Sequence, residues 1–379
     1  MLAHFGHHLV AALLIPLLPF IRDDFVLDYT QAGWLVSAFT LSYGISQLPA
    51  GWLADRIGPR IVLTIGISGV ALSGLLVGLS PTYVMMILFL VLLGATGGGY
   101  HPSAAPLVTA SVEPKNRGSA LGLHQIGGSA SFFLAPLIAV AIAAALGWRG
   151  SFITLAIPTI VFGIVFYVML GRRGYSKKFK HPTSQSHTET PPIPGRLRHL
   201  VTLIILGIAI QSFILSIASF IPLFIVDHFG VSEEAAAALL ALFYATGLLS
   251  GPLGGYLSDH LGKVPVILVS SLAAGPIIYL LNLTPYGWGI SAVLIILGMA
   301  MHMSMPVVEA YIVSQTSERN RSTMLGIYYT GSRGGSGALA PLLGYLIDRF
   351  GFYTSFTAVG ATLLAVTLGC SIFLWGSRD

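Results

Sequence analysis

The stretch IVLTIGISGVALSGLLVGLS, Ile61 to Ser80, runs twenty residues without a charged side chain. As a helix rising 1.5 Å per residue it is about 30 Å long, the thickness of a bilayer's hydrocarbon core. Comparable runs recur at 3–21, 33–53, 83–110, 119–146, 150–170, 200–226, 235–257, 264–283, 287–315, 323–347 and 353–375, making twelve expected spans in all. Backbone in lipid must satisfy its own hydrogen bonds, which leaves helices or closed barrels. Barrel strands alternate apolar and polar residues, and these runs do not. The chain is 55% hydrophobic and 9% charged, against roughly 25% charged residues in soluble domains. These features predict an all-α integral membrane protein.

The first twenty residues lack a basic leader region and an A-x-A site, so they read as a first span rather than a cleaved signal. A lone Cys370 excludes an intramolecular disulfide. Between the sixth and seventh spans lies GRRGYSKKFKHPTSQSHTETPPIPGRLRH, residues 171–199, polar, basic and proline-bearing, which reads as a linker. The expected organisation is a helical bundle over 1–170, the linker over 171–199, and a second bundle over 200–379.

The net charge of +5 follows from topology. With both termini cytoplasmic, fifteen of the nineteen Lys and Arg residues fall inside; Arg22, Arg149 and Arg349 fall outside, and Arg333 lies within a span. The positive-inside rule selects that orientation in the plasma (inner) membrane, and the basic balance needs no nucleic-acid partner. Contact of the linker with anionic lipid fits the same charge.

The two halves repeat. GWLADRIGPR at Gly51–Arg60 returns as GYLSDHLGKV at Gly255–Val264, a shift of 204 residues. At the same shift Pro102 matches Pro306, Asn116 and Arg117 match Asn320 and Arg321, and Gly147, Ser151 and Phe152 match Gly351, Ser355 and Phe356. Two pseudo-symmetric six-helix bundles in parallel orientation form an architecture of secondary transporters, with the substrate path at their interface.

GWLADRIGPR resembles the G-x-L-A/S-D-R/K-x-G-R/K-R/K signature of the major facilitator superfamily, with Pro59 in one basic position. The GWR at Gly147–Arg149 and the EPKNR after the fourth span fit the same family. A narrower likeness, to the fosmidomycin-resistance exporters, rests on AHFGHH, QLPAGWLADR and YHPSAAPLV. The superfamily resemblance implies two bundles rocking about a midplane site, lined by the first, fourth, seventh and tenth spans. It also implies a gating contact in which Asp55 meets the start of the eleventh span, with Gly51 and Gly58 shaping the turn and Arg56, Arg60 and Arg117 as partners. Asp259 is the weaker copy, because His260 and Val264 replace basic residues.

Polar groups inside spans are costly and ask for a reason. Glu309 is the one carboxylate well inside a span, and Arg333 lies at a similar depth in the next. In one reading Arg333 holds an anionic solute, helped by His101 or His302, while Glu309 carries a coupling proton. In the other the two form a structural ion pair. His124 with Gln125 opens the fifth span, and Tyr43 and Tyr244 offer further hydrogen bonds. His4 and His8 have the i, i+4 spacing of metal ligands, but no further ligand is visible in sequence, so no metal site and no cofactor are expected. GATGGGYHP lacks the Lys-Ser/Thr of a phosphate loop; its glycines read as packing or bend points in the fourth span. No nucleophile-base spacing indicates an enzyme.

The resulting expectation is a monomeric, proton-coupled secondary transporter of a small organic solute, anionic or amphiphilic, working by symport, antiport or efflux. Uniport, and a non-transporting receptor or complex subunit on the same fold, are the alternatives.

Overall fold

The computed structural model describes residues 1–113, 117–172, 196–316 and 318–374; within these, the side chains of residues 55, 105, 106, 109, 110, 117–119, 196 and 318–322 are not described. Most of the 171–199 linker and Lys115 therefore lie outside the described residues. The described chain is helical almost throughout: α1 Leu2–Ala11, α2 Leu18–Phe25, α3 Tyr29–Ile57, α4 Pro59–Thr64, a π-helical turn Ile65–Gly69, α5 Val70–Gly78, α6 Tyr83–Gly97, α7 Tyr100–Ala110, α8 Arg117–Arg172, α9 Arg196–Phe229, α10 Glu233–Ala245, α11 Gly247–Leu261, α12 Lys263–Leu280, α13 Trp288–Gln315 and α14 Glu318–Leu374.

Among the described residues, eight helical stretches are long and apolar enough to cross a membrane. Their outer surface suits lipid: Leu249, Val269 and Ile372 stand 79%, 66% and 74% exposed, an arrangement that water would penalise at about 25 cal/mol per Å² of apolar surface. Two of the stretches exceed fifty residues, and each is broken once, α8 at Gly147 (φ 69°) and α14 at Gly351 (φ 73°). Gly58 and Gly262 likewise share nearly one conformation, φ 93° and 90°, where α3 passes to α4 and α11 to α12. Both pairs are separated by the repeat shift, so the sequence repeat is also a backbone repeat. Side chains other than glycine rarely adopt these angles.

The expected first span is not one helix. It breaks at residues 12–17 between α1 and α2, where Pro16 cannot donate to the helix ladder. The fourth span bends at Gly98 and Gly99, between α6 and α7. Caps fix other starts: Asp28 accepts from Gln31 N at 2.7 Å while Gln31 answers Asp28 N at 3.0 Å, a capping box for α3.

Helix ends alternate between two faces. The linker face carries Gly58, residues 111–113, Arg172, Gly262 and Thr316; the far face carries residues 26–28, Ser80, Gly147, Gly230, Gly287 and Gly351. The N- and C-terminal halves meet most extensively where α3 lies along the first part of α14. There small residues let backbones touch: a Cβ on Gly33 would sit 2.6 Å from the Ala340 carbonyl oxygen and 2.7 Å from Pro341 Cα. Gly33→Ala should therefore lower the melting temperature of the detergent-solubilised protein, at a cost of about 1–3 kcal/mol. Gly122→Ala, where a Cβ meets nothing within 4 Å, should leave it unchanged or slightly higher. Equal melting of the two variants would contradict the seam.

Candidate functional site between the halves

Midway along the helices lies a pocket with about 640 Å³ of atom-free space, part of it open to the outside, whose walls come from both halves. The N-terminal half contributes His8, Ile15, Tyr43, Phe132 and Pro136; the C-terminal half contributes Leu215, Ser219, Tyr244, Arg333 and Ser336. Most of the wall is apolar or aromatic. Arg333 is its one permanently charged residue, and the guanidinium lies 5.9 Å from the centre of the Tyr43 ring. Among the described residues no carboxylate pairs with Arg333. A fork of five donors inside a largely apolar wall has the geometry to pair with a carboxylate, sulfonate or phosphate group.

Behind His8 stands a layer of aromatic and imidazole rings. His7 stacks on Tyr100 with centroids 4.3 Å apart, and His4 stacks on His124 at 4.4 Å. His101 turns its edge to His4 at 5.2 Å and lies 5.3 Å from His8. α1 thus meets α7 and α8 through histidines. His7 is fully engaged: Nδ1 donates to the Gly66 carbonyl at 2.6 Å, and Nε2 lies 3.2 Å from the Tyr43 hydroxyl. Tyr43 therefore links this layer to the pocket wall.

The expected site residues separate into groups. Arg333 is on the pocket wall, and His101 and His124 belong to the ring layer beside it. His302 sits behind Tyr244, its Nδ1 donating to the Gly298 carbonyl at 2.8 Å and lying 3.2 Å from Thr246 Oγ1. Glu309 faces Tyr329 and Tyr328 rather than the pocket wall. No ion pair joins Glu309 to Arg333 among the described residues. Equal depth on adjacent helices does not fix rotation about them, and one turn along α14 from Arg333 the residue facing Glu309 is Tyr329. Gln125 is exposed and off the pocket.

The family model of the Major Facilitator Superfamily matches residues 1–227 and again 201–379. The chain belongs to the major facilitator superfamily. Within it the chain is 24% identical over 392 residues to the "Probable sulfoacetate transporter SauU" of Cupriavidus necator, covering 94% of this chain and 87% of that protein. To the "Fosmidomycin resistance protein" of Escherichia coli it is 25% identical over 353 residues, covering 92% and 85%. A shorter match, 31% over 153 residues, joins it to the "Probable L-galactonate transporter" of Escherichia coli, covering 40% of this chain and 34% of that protein. A solved POT family transporter in complex with 5-aminolevulinic acid shares the fold, with a TM-score of 0.83 at 15% identity over 98% of this chain and 94% of its own. The protein is a membrane transporter of this superfamily and not an enzyme.

The superfamily's loop motif is only partly in view. Gly51 and Arg56 close α3, but the side chains of Asp55 and Arg117 and those at the start of α14 lie outside the described residues, so the expected Asp55 contact does too. Arg56 stacks on Trp52, 4.0 Å from the ring centre. Arg60 stacks on Tyr167 at 3.7 Å and donates to its carbonyl at 3.0 Å, tying α4 to the last part of α8. Asp259 is exposed on the linker face.

On the far face a mirror of the expected contact is fully described, and sequence reading missed it. The carboxylate of Asp348, in α14, accepts from the backbone N–H groups of Tyr29 (2.9 Å) and Thr30 (2.8 Å) and from Thr30 Oγ1 (2.5 Å), at the start of α3. Asp348 lies in GYLIDRFG, Gly344–Gly351, which has the spacing of GWLADRIG but not the repeat shift. Beside it Asp227 accepts from Tyr29 Oη at 2.7 Å and pairs with Arg22, whose other carboxylate partner is Asp23 at 2.8 Å. Burial alone would lower the Arg22 guanidinium's pKa; hydrogen bonds to Asp227 and Asp23 outweigh it and raise it. Burial and then the Asp227 bond push the Tyr29 hydroxyl up as well, so it stays a donor at neutral pH. Toward the linker face, by contrast, α8 packs on α10 and largely leaves α11.

Proposed function

We propose that this transporter carries a small organic anion by alternating access, with Arg333 as the group that binds the anion. The observation that carries the reading is Arg333 on the wall between the halves without a carboxylate partner among the described residues. An uncompensated guanidinium in a membrane interior is expensive, and an anionic solute relieves the cost each time it binds. Sulfoacetate and L-galactonate, the solutes named for two of the relatives, are anions of this kind.

In the same reading the chain crosses the plasma (inner) membrane twelve times, as six-helix bundles over 1–170 and 200–379. Both termini and the linker face are cytoplasmic. The matched breaks at Gly58 and Gly262, and at Gly147 and Gly351, support the repeat; the distribution of Lys and Arg supports the orientation. The far-face contacts of Asp348 and Asp227 hold that side closed, and the divergence of α8 from α11 opens the other side. Asp55 plays the matching part on the linker face. Glu309, half-buried beside Tyr329, takes and releases the coupling proton through local rearrangement of α13 against α14.

The test is flux in liposomes loaded with a pH dye. Small carboxylates and sulfonates should move and carry protons, while neutral and cationic solutes of equal size should not. Glu309→Gln should abolish the proton flux. Cation movement equal to anion movement would overturn the anion reading; anion movement without proton flux would indicate uniport or coupling to another ion and leave Glu309 structural.

A further inference from the structure

We propose that His4, His8 and His101 form a binding site for a divalent transition metal of the imidazole-preferring class, Zn²⁺, Ni²⁺, Cu²⁺ or Co²⁺. The ligand nitrogens of these three rings lie within 4.8 Å of one another. Around one ion at 2.0–2.1 Å, tetrahedral imidazole nitrogens stand roughly 3.3 Å apart, so the rings need draw together by at most about 1.5 Å.

The hydrogen bonding identifies the free lone pair. His4 Nδ1 lies 2.9 Å from the His124 carbonyl oxygen. A carbonyl only accepts, so Nδ1 carries the proton and Nε2 presents a lone pair. That Nε2 is buried and has no partner, on a residue 1% exposed. An Nδ1–H held by a carbonyl, with Nε2 left bare, is the arrangement that orients a metal-ligating histidine. His7 makes the contrast, since both of its nitrogens are engaged. Neither His8 nor His101 takes part in a hydrogen bond among the described residues. The His4 ring is also boxed in: a Cβ on Gly128 would lie 2.5 Å from its Cε1.

Three imidazoles without a carboxylate exclude Mg²⁺ and Ca²⁺, which take oxygen ligands, and favour the later first-row metals. Three protein ligands leave a coordination position open. His8 belongs to the pocket wall as well as to this trio, so an ion held here would be reached from the pocket. It would also pin α1 to α7 within the N-terminal half. The inference rests on the ring geometry and not on the anion reading.

The test is titration of the tag-free protein in detergent with Co²⁺, read by visible absorption, with Zn²⁺ as competitor. Wild type should bind one Co²⁺ per chain with the intense visible bands of a low-coordinate site, displaced by Zn²⁺. His101→Gln and His4→Ala should each weaken the affinity by at least roughly tenfold, while His302→Ala, outside the trio, should bind as wild type does. Melting curves of each variant separate lost ligation from lost folding. Absence of stoichiometric Co²⁺ binding to wild type, or equal binding by well-folded His101→Gln, would overturn the proposal.

Discussion

Arg333→Gln should weaken binding of the transported anion by roughly 10- to 100-fold, the equivalent of about 1.5–3 kcal/mol for hydrogen bonds to a charged group. Glutamine keeps much of the side chain's length and polarity, so the change removes the charge and the fork more than the volume. Arg333→Lys should recover part of the affinity, because the charge returns without the paired donors. Tyr43→Phe should matter much less: the cation–ring contact, at 5.9 Å, survives the loss of the hydroxyl. The measurement is equilibrium binding of a labelled anion to protein in detergent, which separates affinity from turnover. If Arg333→Gln binds the anion as tightly as wild type, the pocket wall is not the anion's contact surface.

The second large effect concerns the far face. Asp348 caps α3 from the other half through three hydrogen bonds, and Asp227 holds Arg22 and Tyr29. A cap of this kind contributes about 1–2 kcal/mol. The Arg22–Asp227 pair, with side chains 16% and 22% exposed, adds less than a buried pair would and about 1 kcal/mol at most. Losing both in Asp227→Ala/Asp348→Ala should shift the equilibrium toward a far-side-open state by about 1–3 kcal/mol, roughly 5- to 150-fold. Labelling of Ile15→Cys, made in a Cys370→Ser background, reports it: an impermeant thiol reagent applied from the far side should react much faster in the double variant. Unchanged labelling would mean that the seam between α3 and α14 alone keeps that side shut.

Much of the fold was legible because lipid imposes simple rules. Uninterrupted apolar length marked the spans, and the shift of 204 residues joined Gly58 to Gly262 and Gly147 to Gly351, pairs that share backbone angles. The break after α1 was less legible, since Pro16 sits in a run as apolar as any other. Site residues were harder for a geometric reason. Sequence gives depth along a helix but not rotation about it. Arg333 and Glu309 were matched in depth, yet Arg333 is on the pocket wall while Glu309 faces Tyr329. His101 is far from His4 in sequence, so only the fold brings it beside the i, i+4 pair. Asp348 escaped because its motif breaks the repeat shift, although its spacing of glycines and aspartate was in plain view.

The single-residue breaks at Gly147 and Gly351 bear on how movement passes between helices. At Gly147 one helix ends and the next begins with no intervening loop, and Ser151 Oγ already donates back to the Ala139 carbonyl at 2.6 Å. With no slack between them, the two arms of residues 117–172, and by the same geometry those of 318–374, are tied to one another at the far face. A shift of one arm in the finished protein is passed to its neighbour through a single residue, and a side chain placed at either glycine would strain the joint that couples them.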